Sequence, residues 1–162
     1  MGMDICGRKP KNKIGEYFRA NVWSYRPIYW LCFVASTQHK EKTGDFLIPI
    51  KTFEGMEYND GKGLRSQRKC NLLSDYLQEI TEPLFTEIPF EEECSDGLKF
   101  GVDKDGEFYI DIGFYTDKEG KFLSEEECKD PNIEKQSSYR TTKEHIQEFC
   151  DFLKDCGGFR VW

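Results

Sequence analysis

The segment 141–162 reads TTKEHIQEFCDFLKDCGGFRVW. Ile146, Phe149, Leu153 and Cys156 recur at the three- and four-residue spacing that lines up one face of a helix. Thr141 with Glu144 reads as a capping box at its start. Gly157 reads as the left-handed residue just past its end. Phe159, Val161 and Trp162 then remain for a closing strand, and a Trp in that position is expected to dock. Helix and strand side by side predict helices packed on a sheet.

The same logic extends upstream. Phe100 and Val102 precede the turn Lys104-Asp105-Gly106, and Phe108, Ile110 and Ile112 alternate with Tyr109 and Asp111 after it. That is a hairpin with half-buried strands over Leu98–Tyr115. Asp117–Gly120 reads as a turn, and Ser124-Glu125-Glu126-Glu127 as a capped helical turn. A longer helix is predicted over Lys62–Ile80, with Leu73, Tyr76, Leu77 and Ile80 as its apolar stripe and Pro83 barring continuation. Ser36–Asp45 reads as a polar loop, and Phe46–Ile50 as an irregular extended piece because of Pro49.

Pro27 reads as the first-turn residue of another helix carrying Ile28, Leu31, Cys32 and Ala35. Tyr29, Trp30, Phe33 and Val34 fill its other faces, so a helix buried nearly all round and a strand both fit. Met3–Cys6 and Glu16–Arg19 complete the set as short strands, joined by a basic turn over Gly7–Asn12. With no repeat and no low-complexity linker, the chain 1–162 reads as one α+β domain: an antiparallel sheet packed with about three helices.

The 162 residues suit a single domain, and 15% aromatics supply enough apolar surface for a core despite 33% charged residues. The formal net charge is -7. That excludes the dominant cationic face a duplex-DNA binder needs. Basic residues nevertheless group at Arg8, Lys9, Lys11 and Lys13, and again at Lys62, Arg65, Arg68 and Lys69. These read as a mixed solvated surface or a local basic patch.

The longest apolar run, Ile28–Ala35, is too short to span a bilayer. No leader pattern precedes the fold, and Cys6 stands where a myristoylation signal needs Ser or Thr. The reading is a soluble cytoplasmic protein without membrane attachment. Seven cysteines without a CxxC spacing, beside two histidines, suggest neither a zinc site nor a disulfide framework. No cofactor or metal is expected.

Two segments carry candidate binding chemistry. Tyr17–Phe33 interleaves seven aromatics with Arg19, Asn21 and Arg26. Such groups stack on and pair with a planar anionic ligand, or form a core with arginines reaching to water. Asn59-Asp60-Gly61-Lys62-Gly63-Leu64 presents backbone N–H groups and a lysine to an anion, or is ordinary turn chemistry. It is not a Walker A loop. Asp103, Asp105 and Glu107 belong to the hairpin turn, since the spacing fails a calcium loop. A cysteine nucleophile lacks any local signature with His39 or His145.

Met1-Gly2-Met3-Asp4, Gly15-Glu16-Tyr17-Phe18-Arg19-Ala20-Asn21-Val22-Trp23 with Arg26-Pro27, the Asn59–Leu64 turn and Gly157-Gly158-Phe159 together resemble a group of small uncharacterised bacteriophage and prophage proteins. The resemblance covers the first third and the C-terminus, but not Leu84–Tyr139. Many members of that group carry a second Trp after Trp23, and some a CxxC. Here Ser24 and Tyr25 follow Trp23, so no metal role carries over. The resemblance implies an origin, and with it a binding role toward a host enzyme, a defence protein or a defence signalling nucleotide.

The leading expectation is a non-enzymatic counter-defence protein that holds an anionic, nucleotide-like ligand. Its site residues are Tyr17, Arg19, Asn21, Trp23, Arg26, Asn59, Asp60, Gly61, Lys62 and Gly63. Trp23 or Tyr17 would stack, Arg19 and Arg26 would pair with phosphate, and the glycine turn would donate N–H groups. The rival is an inhibitor of a nucleic-acid-handling protein that uses Glu91, Glu92, Glu93, Glu125, Glu126 and Glu127. A nucleotide-processing enzyme is a third class. A sheet edge or the closing strand offers the geometry for self-association.

Overall fold

The computed structural model describes residues 2–162. In chain order its elements are β1 (Gly2–Gly7), α1 (Lys13–Glu16), β2 (Tyr17–Asn21), α2 (Val22–Thr43), α3 (Ile50–Glu57), α4 (Gln67–Leu84), β3 (Phe90–Glu93), β4 (Lys99–Val102), β5 (Glu107–Asp111), β6 (Tyr115–Thr116), α5 (Glu125–Lys129), β7 (Gln136–Ser137), β8 (Arg140–Thr142), α6 (Lys143–Asp155) and β9 (Phe159–Val161). The strands form three antiparallel sheets, ordered β2-β1-β9, β3-β4-β5-β8 and β6-β7. The fold is α+β, with the antiparallel strands divided among separate sheets.

Alternation decides which side of the first sheet is core. Met3, Ile5, Phe18, Ala20, Phe159 and Val161 point inward and are buried. Asp4, Tyr17, Arg19 and Arg160 point outward. The inward row packs on α6, with Phe18 and Phe149 rings 5.1 Å apart and Phe152 and Phe159 rings 6.3 Å apart. On its other side α6 meets α4, where the buried Ser74 hydroxyl donates to the Cys150 carbonyl (3.1 Å). Gly15 lies where α1 crosses the end of α6: a Cβ there would sit 2.1 Å from the Asp155 carbonyl oxygen. The neighbouring loop satisfies that helix end, with Lys11 N–H donating to Asp155 O (2.9 Å) and Lys9 N–H to Cys156 O (3.1 Å).

Several boundaries differ from the sequence reading. The cap of α6 is Thr142, which accepts from His145 N–H (3.1 Å), because Thr141 belongs to β8 and faces Phe108. The Thr141–Glu144 capping box therefore does not form. Helix α2 starts at Val22, where the Asn21 side chain accepts from Ser24 N–H (2.8 Å). Pro27 is thus internal and not a first-turn residue. The expected loop over 36–45 is mostly helix as well. No breaker intervenes before Gly44, which takes φ 90° and donates to Lys40 O (2.8 Å). Nor is α2 buried all round: Ile28, Leu31, Cys32 and Ala35 form its buried stripe, while Phe33 is half exposed.

Helix α4 begins at Gln67, not Lys62, because Ser66 caps it (Lys69 N–H to Ser66 Oγ, 3.1 Å) and residues 61–64 pair with β9. It runs past Ile80 and ends at Leu84, one residue after Pro83, whose missing N–H withdraws a hydrogen bond from the last turn. Helix α3, after Pro49, is not anticipated by the sequence.

The hairpin stands as read, with Val102 opposite Phe108 and the Asp103 carboxylate accepting from Asp105 N–H (2.9 Å) and Glu107 N–H (3.1 Å). Phe108 and Ile110 are buried, but Ile112 lies beyond the end of β5 and is exposed. The Ser124–Glu127 capping box is formed.

Candidate anion-binding site

Strand β9 is covered on both sides. It pairs with β1, and along its other side runs the segment Gly61–Leu64. Gly61 N–H donates to Val161 O (2.9 Å) and Val161 N–H to Lys62 O (2.9 Å), so two residues face one. Gly61 takes φ 67°, as the first position of such a bulge favours. Phe159 N–H donates to Leu64 O (2.8 Å). The alternation of the ladder turns the Gly63 N–H away from β9. The closing strand is thus not a free edge for self-association.

Trp162 continues β9. Its backbone exchanges hydrogen bonds with Asp4 (2.8 and 2.9 Å), and its indole lies over Gly61, where a Cβ would come within 2.5 Å of the ring. The side chain is docked, as expected, yet half of Trp162 remains exposed to solvent. Beside it opens a cavity of about 290 Å³ lined by Arg8, Lys51, Lys62, Arg65 and Arg160, together with Gly61, Gly63 and Thr52.

These cations come from separate parts of the chain. Arg8 follows β1 and is anchored by its Nε–H to the Phe159 carbonyl (3.1 Å). Arg160 projects from the outer face of β9, Lys62 lies between Gly61 and Gly63 with Arg65 just beyond them, and Lys51 stands in the first turn of α3. None of the five forms an ion pair among the described residues. Burial, and then the charges of Arg160 and Arg65, push the Arg8 guanidinium below its ordinary range. The cavity therefore concentrates like charge, and an anion entering it relieves that repulsion.

Of the ten residues singled out in the sequence, Gly61, Lys62 and Gly63 line this cavity. Asp60 and Asn59 form the turn leading into it. Asp60 N–H donates to Gly55 O (3.1 Å), and Asn59 takes φ 58° with its buried side-chain oxygen unpartnered among the described residues. Tyr17, Arg19 and Asn21 alternate along the outer face of the same sheet. Asp4 lies between Arg19 and Trp162 and accepts from the Tyr17 hydroxyl, and that hydrogen bond raises the Tyr17 pKa. Asn21 is committed to capping α2.

The structure does not bring Trp23 or Arg26 to the cavity. Trp23 packs against Tyr139 and Phe122, with ring centres 4.9 and 5.0 Å away, at the edge of a different, open groove. Arg26 is paired with Glu57 at 2.6 Å. Arg8, Lys51, Arg65, Arg160 and Trp162 were not singled out as site residues. Two sequence-distant basic groups supply Arg8, Lys62 and Arg65, and β9 joins them by pairing with β1 on one side and with the 61–64 segment on the other.

The acidic residues are dispersed. Glu91, Glu92 and Glu93 lie on the edge strand β3, where Glu91 accepts from the Tyr109 hydroxyl (2.6 Å). Glu125 pairs with Lys129 (3.1 Å). Glu127 accepts from Ser124 N–H and pairs with Lys121, interactions that lower its pKa, while Glu126 is exposed. A second cavity of about 450 Å³ beside β4 and β5 mixes both signs, with Glu91, Asp103 and Asp105 facing Lys104, Lys118 and Lys135.

No protein-family model, curated protein or solved structure matches this chain. Among the described residues no helix is long and apolar enough to cross a membrane.

Proposed function

We propose that this protein is a binding protein whose basic cavity holds an anionic, nucleotide-like ligand. The observation that carries the reading is the convergence of five cations without ion-pair partners on one cavity beside a half-exposed indole. Arginine guanidinium groups suit phosphate oxygens through paired N–H donors, and the Gly63 N–H, turned away from β9, adds a backbone donor. The Trp162 ring offers a stacking face for a base. The lining contains no carboxylate, imidazole or thiol, the groups most often used to move protons near neutral pH. That favours holding a ligand over transforming it.

Together with the phage resemblance, this reading makes the protein a counter-defence sponge in the host cytoplasm that sequesters a signalling nucleotide. The test is native mass spectrometry of the protein after incubation with extract from phage-infected, defence-active cells. A retained nucleotide-sized mass, lost in the Arg65→Glu/Arg160→Glu variant, is the expected result. A retained mass that the double charge reversal leaves in place would remove the assignment to this cavity. A ligand-free protein from an extract shown to contain active signal would overturn the sponge reading.

A further inference from the structure

The side chains of the cavity's cations fall into two groups. Arg8, Arg65 and Arg160 cluster around β9: Arg8 donates to Phe159 O (3.1 Å), Arg160 stands on the strand, and the Arg65 backbone lies against Gly158, where a Cβ would come within 2.8 Å of it. Lys51 belongs to α3, and Lys62, whose backbone pairs with β9, sends its side chain over that helix. The Lys62 stem runs across Gly55, where a Cβ would come within 2.1 Å of Lys62 Cγ. Gly55 stands four residues after Lys51 on the same helix, so Lys51 and the Lys62 stem lie along one face of α3. An arginine cluster and a lysine pair thus border a single cavity, with the Trp162 ring at its rim.

A phosphate monoester carries a charge of about −1.5 to −2 at neutral pH. Two or three cations balance it. Five exceed what one such group neutralises, and their side chains gather as an arginine group around β9 and a lysine pair over α3. We infer that the ligand of this cavity carries two linked phosphates, one engaged by the arginines and the other by Lys51 and Lys62. The inference rests on the anion-binding reading above and narrows it to a diphosphate class.

The test uses the full chain, with isothermal titration of orthophosphate, pyrophosphate, AMP and ADP at fixed salt. Pyrophosphate is expected to bind at least about tenfold tighter than orthophosphate, and ADP at least about tenfold tighter than AMP, as charge-assisted contacts to a second phosphate would give. The Lys51→Met/Lys62→Met variant should bring ADP down to the AMP level while AMP binding holds. Gly55→Ala, which displaces the Lys62 stem without removing charge, should weaken ADP more than AMP. Trp162→Ala should weaken ADP and spare pyrophosphate.

Equal affinities across each pair overturn the two-phosphate inference and leave a single-phosphate site standing. An unphosphorylated oligonucleotide that competes as well as ADP overturns it in favour of a phosphodiester chain. Absence of binding by all four probes, with a circular dichroism spectrum showing a folded chain, overturns both this inference and the reading beneath it.

Discussion

Asn21 shows how a residue that looks like ligand chemistry can be consumed by the fold. Its side chain accepts from Ser24 N–H at 2.8 Å and so determines where α2 starts. Asn21→Ala should lower the unfolding free energy by about 1 kcal/mol, the usual worth of a cap, and leave anion binding unchanged. Urea denaturation paired with ligand titration checks both halves; a loss of binding without a loss of stability would return Asn21 to the site. Arg26 and Tyr17 are engaged in the same way, by Glu57 and Asp4. Their polarity is satisfied within the chain.

At the scale of elements, the links between turns carry a pH signature. Glu134 sits between Lys104 (2.8 Å) and Lys118 (2.7 Å), tying the β4–β5 turn to the turn after β6. Hydrogen bonds from these lysines, Lys104 first, lower its pKa to about 2. The folded value lies below the ordinary carboxylate value, so this contribution to stability is complete above about pH 4.5. It is lost as the pH falls toward 2. Glu134→Gln should therefore flatten that part of the acid-stability profile while changing the profile above pH 5 only by a constant offset. Thermal melts from pH 2 to 7 measure it, and an unchanged acid slope would show that the group does not contribute. All three side chains are largely solvent-exposed, so the effect should shrink in high salt.

For the molecule as a whole, core formation sets thiol chemistry. Cys32, Cys70, Cys150 and Cys156 are buried, whereas Cys6, Cys94 and Cys128 are partly accessible. Burial pushes the Cys150 thiol up to about 11 and raises that of Cys32 further. Such thiols stay protonated and shielded at pH 8. Iodoacetamide on the folded protein should label only Cys6, Cys94 and Cys128, and the denatured chain should label at all seven cysteines. Peptide mapping decides it; rapid labelling of Cys32 or Cys150 would mean that this core opens readily. The same global arrangement gathers a basic cavity onto a chain of net charge -7. Local placement, rather than overall charge, decides which partner such a surface attracts.

The sequence by itself determined the α+β class, the 98–115 hairpin, the α6 stripe and the turn at Asn59–Gly61. Each of these depends on local periodicity or turn chemistry spanning a few residues. It misplaced the starts of α2, α4 and α6 because Asn21, Ser66 and Thr142 compete with plausible neighbours, and strand pairing settles the choice at 61–64 and at Thr141. Part of the cavity was legible as two basic groups and a glycine turn. Its closure was not, because Arg8 and Arg160 lie at opposite ends of the chain and meet only through the antiparallel pairing of β1 with β9. Only the tertiary structure decided that these charges share one cavity while Trp23 and Arg26 are directed elsewhere, since nonlocal strand register, not spacing along the chain, determines which side chains become neighbours.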